Sequence, residues 1–379
     1  KILDWICPSD FNTVQEDTLE KRWPGTGTWL LESEDFQAWF SSQSTSLLWC
    51  NGPPGAGKSV LSSIVVDKVR KRRTESSTDT ASVGLAFAYF RYDKVDSQRP
   101  ENVIAALTRK LASQLEKLPE DVVGLYETCY QNAQIPSLEQ YSESFFSIAG
   151  QFLETFVVID ALDECNDKSR YFIFAFMEEV TQRLPTAKIF LTSRPEDSIR
   201  ETLNTFQVPT TAIKAAGSKT DIATYAREKL DLLTRAPQYG EGARTQRLEI
   251  QGAATKDKIL DALLKRNDGT FLWVELQLES LCRQKSDKEI LKALKTLPIG
   301  LNETYARLLQ QVAAQPTPLR DLAWRCLVWV LYARKQLRLD EFRDAVLTQD
   351  GCVSREQFQN TKEKYPLSAL VDICGGLLV

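Results

Sequence analysis

Eight consecutive residues, Gly52-Pro53-Pro54-Gly55-Ala56-Gly57-Lys58-Ser59, carry the strongest chemical signal in the sequence. They satisfy G-x-x-x-x-G-K-[ST], in which glycines let successive backbone amides turn inward on a phosphate. Lys58 is placed to reach the outer phosphates as a point charge, and the Ser59 hydroxyl to take one position on Mg²⁺. Such a loop needs a strand before it and a helix after it. Residues 47–50 form a short apolar run, and 59–73 places Leu61, Ile64, Val65 and Val69 on one helical face. Gly52, Pro54, Gly55, Ala56, Gly57, Lys58, Ser59 and Val60 are therefore the expected phosphate-binding set.

A phosphate loop that works with Mg²⁺ also needs a carboxylate at a neighbouring strand end. The run 156–159 (Phe-Val-Val-Ile) ends in Asp160, which is expected to hold the metal, mostly through water. Asp163 and Glu164 follow just past the strand tip, where either could polarise a water in line with the terminal phosphate. A third tip, 188–195 (Lys-Ile-Phe-Leu-Thr-Ser-Arg-Pro), presents Arg194 as a candidate γ-phosphate sensor.

These choices matter because the 379 residues contain no histidine. Ser-His-Asp and Cys-His nucleophile systems, His-ligated zinc and any imidazole base are excluded. Chemistry here runs on carboxylates, Lys and Arg, hydroxyls, thiols, backbone amides or a borrowed cofactor. With 47 basic and 51 acidic residues, the net charge of −4 does not suit a chain built to grip nucleic acid. The basic cluster Lys68, Arg70, Lys71, Arg72 and Arg73 lies at a helix C-terminus, where cations complement the dipole. Eight scattered cysteines with no CxxC pair predict reduced thiols, hence an intracellular, cytoplasmic protein. No apolar run reaches the roughly 18 residues of a membrane span.

Around these motifs the apolar runs 83–92, 156–159 and 188–192 alternate with helical patterns such as 100–118. This predicts an α/β fold, a parallel sheet with helices on both faces. A helical stretch is expected over 30–40, a polar linker over 74–82, and a loop over 238–252. Past residue 217 every periodic segment is helical. Trp324, Trp329 and Tyr332 read as helix core. Residues 337–342 read as an extended turn into a helix, as in a winged-helix module, and 376–379 as a strand-like stub. The predicted organisation is a lead-in (1–46), a phosphate-loop NTPase domain (47–216), a helical domain (217–315) and a winged-helix domain cut short at 379.

The ordered set of phosphate loop, Asp160–Cys165 (DALDEC) after FVVI, and Thr192–Pro195 (TSRP), followed by a helical tail, resembles the NACHT family of signal-transducing STAND ATPases found in NOD-like receptors. More narrowly it is similar to fungal NACHT proteins that join an N-terminal death-effector-like domain to C-terminal ankyrin or WD40 repeats. Residues 25–31 (GTGTWLL), 268–274 (DGTFLWV) and Leu297-Pro298 with Gly300-Leu301 carry that closer likeness.

The resemblance implies an ATP/ADP switch with Mg²⁺, closed on ADP and self-associating through the nucleotide-binding domain on exchange for ATP, with slow hydrolysis. It implies an N-terminal effector and a C-terminal repeat sensor outside residues 1–379, and roles in innate immunity or heterokaryon incompatibility. Thr26, in the Gly25-Thr26-Gly27 turn, would contact adenine. The family's Gly-x-Pro against the base reads Gly269-Thr270-Phe271 here, without the proline. Its winged-helix histidine on the β-phosphate follows a Gly-Leu-Leu-Val-like strand, which here is 376–379, so its absence agrees with an end at 379. Two other readings stand beside the switch: a freestanding phosphate-loop ATPase or kinase with ordinary turnover, and an ATP-dependent regulator binding DNA through the winged helix.

Overall fold

The computed structural model describes residues 1–7, 11–75, 83–91, 99–215, 219–235, 247–250, 252–334, 337–348, 355–375 and 377–378. The chain divides into two compact units, Lys1–Tyr225 with Gly269–Phe271, and Ala226–Asp268 with Leu272–Val379.

The first unit is built on five parallel strands, β1 (Ser46–Asn51), β2 (Val83–Tyr89), β3 (Glu154–Asp160), β4 (Ala187–Ser193) and β5 (Thr210–Lys214), in the order β2-β3-β4-β1-β5. Strand alternation sends side chains to two separate cores. Leu47, Trp49, Val157, Ile159, Ile189 and Leu191 pack on one face, and Leu48, Cys50, Phe156, Val158 and Phe190 on the other. Both faces are apolar because helices cover both, which is the reason these strands read as unbroken hydrophobic runs.

Preceding β1 are α1 (Ile2–Ile6), α2 (Asn12–Glu20), α3 (Thr28–Glu32) and α4 (Glu34–Ser41). The helix expected over 30–40 is thus two helices. Ser33 adopts an extended conformation between them and its Oγ accepts the Phe36 N–H, capping the second. Helix α5 (Lys58–Glu75) leaves the phosphate loop; α6 (Pro100–Ala112), α7 (Glu120–Gln131) and α8 (Leu138–Ala149) lie between β2 and β3. Helices α9 (Asp167–Arg183) and α10 (Asp197–Asn204) flank β4, and α11 (Lys219–Thr234) follows β5.

The basic end of α5 is engaged within the fold. Arg72 pairs with Glu154 at 2.8 Å and lies over the Phe40 ring at 4.9 Å, while Arg70 lies over Phe87 at 5.4 Å. The linker over 76–82 lies outside the described residues.

The second unit is helical among the described residues: the end of α11, α12 (Ala253–Arg266), α13 (Phe271–Cys282), α14 (Asp287–Lys295), α15 (Gly300–Ala313), α16 (Thr317–Tyr332), α17 (Leu339–Leu347), α18 (Arg355–Lys364) and α19 (Leu367–Ile373). Its terminal part packs around Val312, Leu322, Ala323, Cys326, Val346, Leu347, Leu370 and Cys374. One expectation fails here. Trp324, Trp329 and Tyr332 are 41%, 39% and 77% exposed, not core, because α16 turns Leu322, Ala323, Cys326 and Leu327 inward and the aromatics away. Most of the expected loop over 238–252, and residues 376 and 379 of the expected terminal strand, lie outside the described residues.

Candidate phosphate-binding site

The strand order sets the site. Strand β1 delivers the phosphate loop and β3 delivers Asp160, and β4 lies between them. Register places Cys50 beside Thr192 and Asn51 beside Ser193, with Ile159 beside Leu191. The carboxyl ends of these three strands therefore bring residues more than 130 positions apart in sequence into one cluster, at the edge where open α/β sheets bind ligands.

The loop itself is held in the conformation its glycines allow. Gly55 and Gly57 have φ of 74° and 85°, a region that side chains disfavour. The Ala56 N–H donates to Pro53 O at 3.3 Å, the Gly52 N–H to Ser193 O at 3.2 Å, and the Ala215 N–H to Asn51 O at 2.7 Å. Pro54 is exposed, Ala56 is buried, and Gly55, Gly57, Ser59 and Val60 lie between. The Lys58 ammonium curls onto its own loop, donating to Gly52 O at 2.8 Å and Pro53 O at 3.1 Å. Desolvation lowers its pKa, opposed by the charges of Asp163 and Asp160. The cation is thus kept half-buried among acceptors that an arriving phosphate can replace.

Asp160 is 2% exposed. Its Oδ1 accepts the Thr192 hydroxyl at 2.6 Å and the Ser62 hydroxyl at 2.7 Å, and Ser59 is hydrogen-bonded to the same carboxylate. Burial pushes its pKa above the ordinary value; the three hydroxyls and Lys58 act in the other direction. Burial also pushes the neighbouring Cys50 thiol up to about 12, which makes it a poor nucleophile.

Just past β3 the chain turns sharply. Ala161 is left-handed, φ 56°, and its N–H donates to Thr192 Oγ1 at 2.9 Å. That turn opens a 3-10 helix, Leu162–Glu164, which aims Asp163 back at the tip of β4. Asp163 is 5% exposed; its Oδ1 accepts the Arg194 N–H at 2.9 Å and its Oδ2 pairs with Arg194 Nε at 3.0 Å. Arg194 is 53% exposed.

Thr26 is buried, with its hydroxyl donating to Trp23 O at 2.7 Å. The following Gly27 packs on α5, where a Cβ would stand 2.4 Å from Ile64 Cδ1, and its N–H donates to Asp221 Oδ2 at 2.6 Å. Rings of Trp23, Tyr225 and Phe271 meet edge to face, at 5.3 Å and 5.4 Å. The Phe271 N–H donates to Gly55 O at 2.9 Å, so the segment that lacks the expected proline is tied to the phosphate loop by a bond a proline could not make.

Sequence reasoning placed Lys58, Ser59, Asp160, Asp163 and Arg194 in this cluster. It missed Ser62, Thr192 as the link to Asp160, and the ties made by Asp221 and Phe271. Polar side chains in apolar elements, Ser62 in α5 and Thr192 in β4, are the signal that was there to be read.

The hydroxyl of Ser59 and the carboxylate of Asp160 are hard oxygen donors of the kind that would suit Mg²⁺, a cation that keeps several waters and binds through one or two carboxylates and phosphate. Among the described residues no group of three or more His, Cys, Asp or Glu forms a separate metal cage.

Residues 25–194 match the family Nephrocystin 3, N-terminal. Across 364 residues, 93% of this chain, the sequence is 27% identical to the vegetative incompatibility protein HET-E-1 of Podospora anserina. The resemblance to the nucleotide-binding modules of fungal NOD-like receptors holds. The chain spans 24% of that relative's length. Solved structures give a more distant likeness: the Aeropyrum pernix ORC2 protein in its ADP form (12% identity, 92% of this chain and 88% of that one, TM-score 0.43) and a Walker-type ATPase of Pyrococcus abyssi (13%, 96% and 89%, TM-score 0.41). The fold is that of an α/β phosphate-loop NTPase followed by helices, and none of the described helices is long and apolar enough to cross a membrane.

Proposed function

We propose that this chain is the ATP/ADP switch module of a NOD-like receptor, closed with ADP, opened and self-associating with ATP, and reset by slow hydrolysis. The observation that carries this reading is the convergence of Lys58, Ser59, Asp160, Asp163 and Arg194 at three adjacent strand tips. Amides of 52–59 and Lys58 bind the phosphates, and Thr26 lies on the adenine side. Ser59 and Asp160 would hold Mg²⁺, which supplies charge neutralisation between the outer phosphates. Asp163 or Glu164 would position the attacking water, and Arg194 would meet the terminal phosphate. A switch requires only that ATP and ADP favour different states. The domain division at 47–216, 217–315 and 316–379, the effector and repeat sensor outside this segment, and a cytoplasmic setting belong to the same reading.

The test is to purify the chain without added nucleotide, denature it, and identify what is released. Stoichiometric ADP or ATP is the expected result. No released nucleotide, together with no binding of either when added, would contradict the reading. Rapid multiple turnover would favour an ordinary ATPase instead.

A further inference from the structure

The two residues expected to act on the terminal phosphate, Asp163 and Arg194, are bonded to each other. The contact has two points: backbone N–H to Oδ1 at 2.9 Å and guanidinium Nε to Oδ2 at 3.0 Å. Asp163 is almost fully buried, whereas Arg194 is half exposed. Asp163 is also the foremost charge acting on Lys58, ahead of Asp160, and Arg194 acts on Lys58 as a like charge, so two cations and two carboxylates share a small space. A terminal phosphate would bring negative charge to the same two cations.

We infer that Asp163 stands in for the γ-phosphate, holding Arg194 until ATP displaces it, and that positioning the water falls to Glu164. This deepens the proposed function and rests on it. The physical requirement is competition for one charge: paired with Asp163, the Arg194 cation is largely compensated, and a γ-phosphate gains its full attraction only as that pair loosens. ADP brings no such competitor and leaves the pair intact. The pair therefore sets the preference of the closed state for ADP, and Asp163 is a positioning residue that acts through Arg194.

The experiment measures equilibrium dissociation constants of ADP and the β,γ-imido analogue of ATP, with Mg²⁺, for the 379-residue chain. Asp163→Asn keeps the shape and removes the charge. It is expected to shift the ratio of affinities toward the ATP analogue by about 5-fold, the size of one partly exposed charge pair. In an Arg194→Ala background the same substitution shifts the ratio by less than half as much, because the competitor is gone. Asp163→Glu, which keeps the charge, retains the wild-type ratio. Asp163→Ser repeats the test if Asp163→Asn does not fold.

An unchanged ratio in the charge-removing variants, or an equal shift with and without Arg194, overturns the inference. So does an Asp163→Asn effect confined to slowed single-turnover hydrolysis, which would make Asp163 the water-positioning group. Failure of the wild-type chain to bind either nucleotide overturns the proposed function itself, and is told apart because no ratio can then be measured.

Discussion

Thr192 donates its hydroxyl hydrogen to Asp160 Oδ1 at 2.6 Å while its oxygen accepts the Ala161 N–H at 2.9 Å. One side chain from β4 thereby fixes both the carboxylate at the end of β3 and the left-handed residue that follows it. The arrangement follows from the strand order, since β4 is the neighbour β3 shares with β1.

Replacing Thr192 by valine keeps the β-branched shape and removes the hydroxyl. The Ala161 N–H loses its acceptor in a buried setting, and Asp160 loses a donor. Stability should fall by about 1–3 kcal/mol, and affinity for Mg²⁺-nucleotide with it. Thr192→Ser should restore most of both. Chemical denaturation and nucleotide titration of the two variants check this; equal loss in valine and serine would point to packing instead.

Asp160 trades stability for its place in the site. Burial holds its pKa above the ordinary value. A raised folded-state pKa means the stabilising contribution is complete below the unfolded value and is lost as pH rises through the folded one. At neutral pH the buried charge is thus a cost. Asp160→Asn should raise the melting temperature of the nucleotide-free chain at pH 7 by about 2–4 °C. The gain should shrink as the pH is lowered, and Mg²⁺-dependent nucleotide binding should be lost. A lower melting temperature at pH 7 would contradict the assignment.

Gly52 is required for close approach, because a Cβ there would stand 2.7 Å from the Ala215 carbonyl oxygen. That oxygen is backbone and cannot swing aside. Gly52→Ala should therefore destabilise by about 1–3 kcal/mol. Gly124→Ala, where a Cβ meets nothing within 4 Å in the exposed middle of α7, should be neutral or mildly stabilising. Denaturation midpoints of the two variants decide this.

Strands β1 to β4 were legible because burial on both faces writes itself as unbroken apolar runs such as Phe156-Val157-Val158-Ile159. Strand β5 was not: Thr210-Thr211-Ala212-Ile213-Lys214 lies at the sheet edge with only Ile213 buried, so neither alternation nor a continuous run marks it. Ser33 interrupts an otherwise helical pattern through a cap that periodicity does not register. In α16, helical spacing was correct but could not say that Trp324 and Tyr332 face outward. In the site, the residue types at each strand tip were legible from the motifs. The pairing of Asp163 with Arg194 was not, because it depends on the turn at Ala161 and on which strand neighbours β3. Both are tertiary facts.

The central claim is that residues 52–59 bind the phosphates of ATP and ADP through Lys58. Isothermal titration of wild-type chain and Lys58→Met with ADP and with Mg²⁺-ATP analogue tests it most directly. Lys58 is half-buried and its ammonium donates to two carbonyls of its own loop, so the methionine variant should fold with a near wild-type melting temperature. Wild type should bind both nucleotides at one site, and Lys58→Met should weaken both by at least about 100-fold, the loss of a charge-assisted contact in a desolvated site. Equal binding by the two proteins would contradict the account.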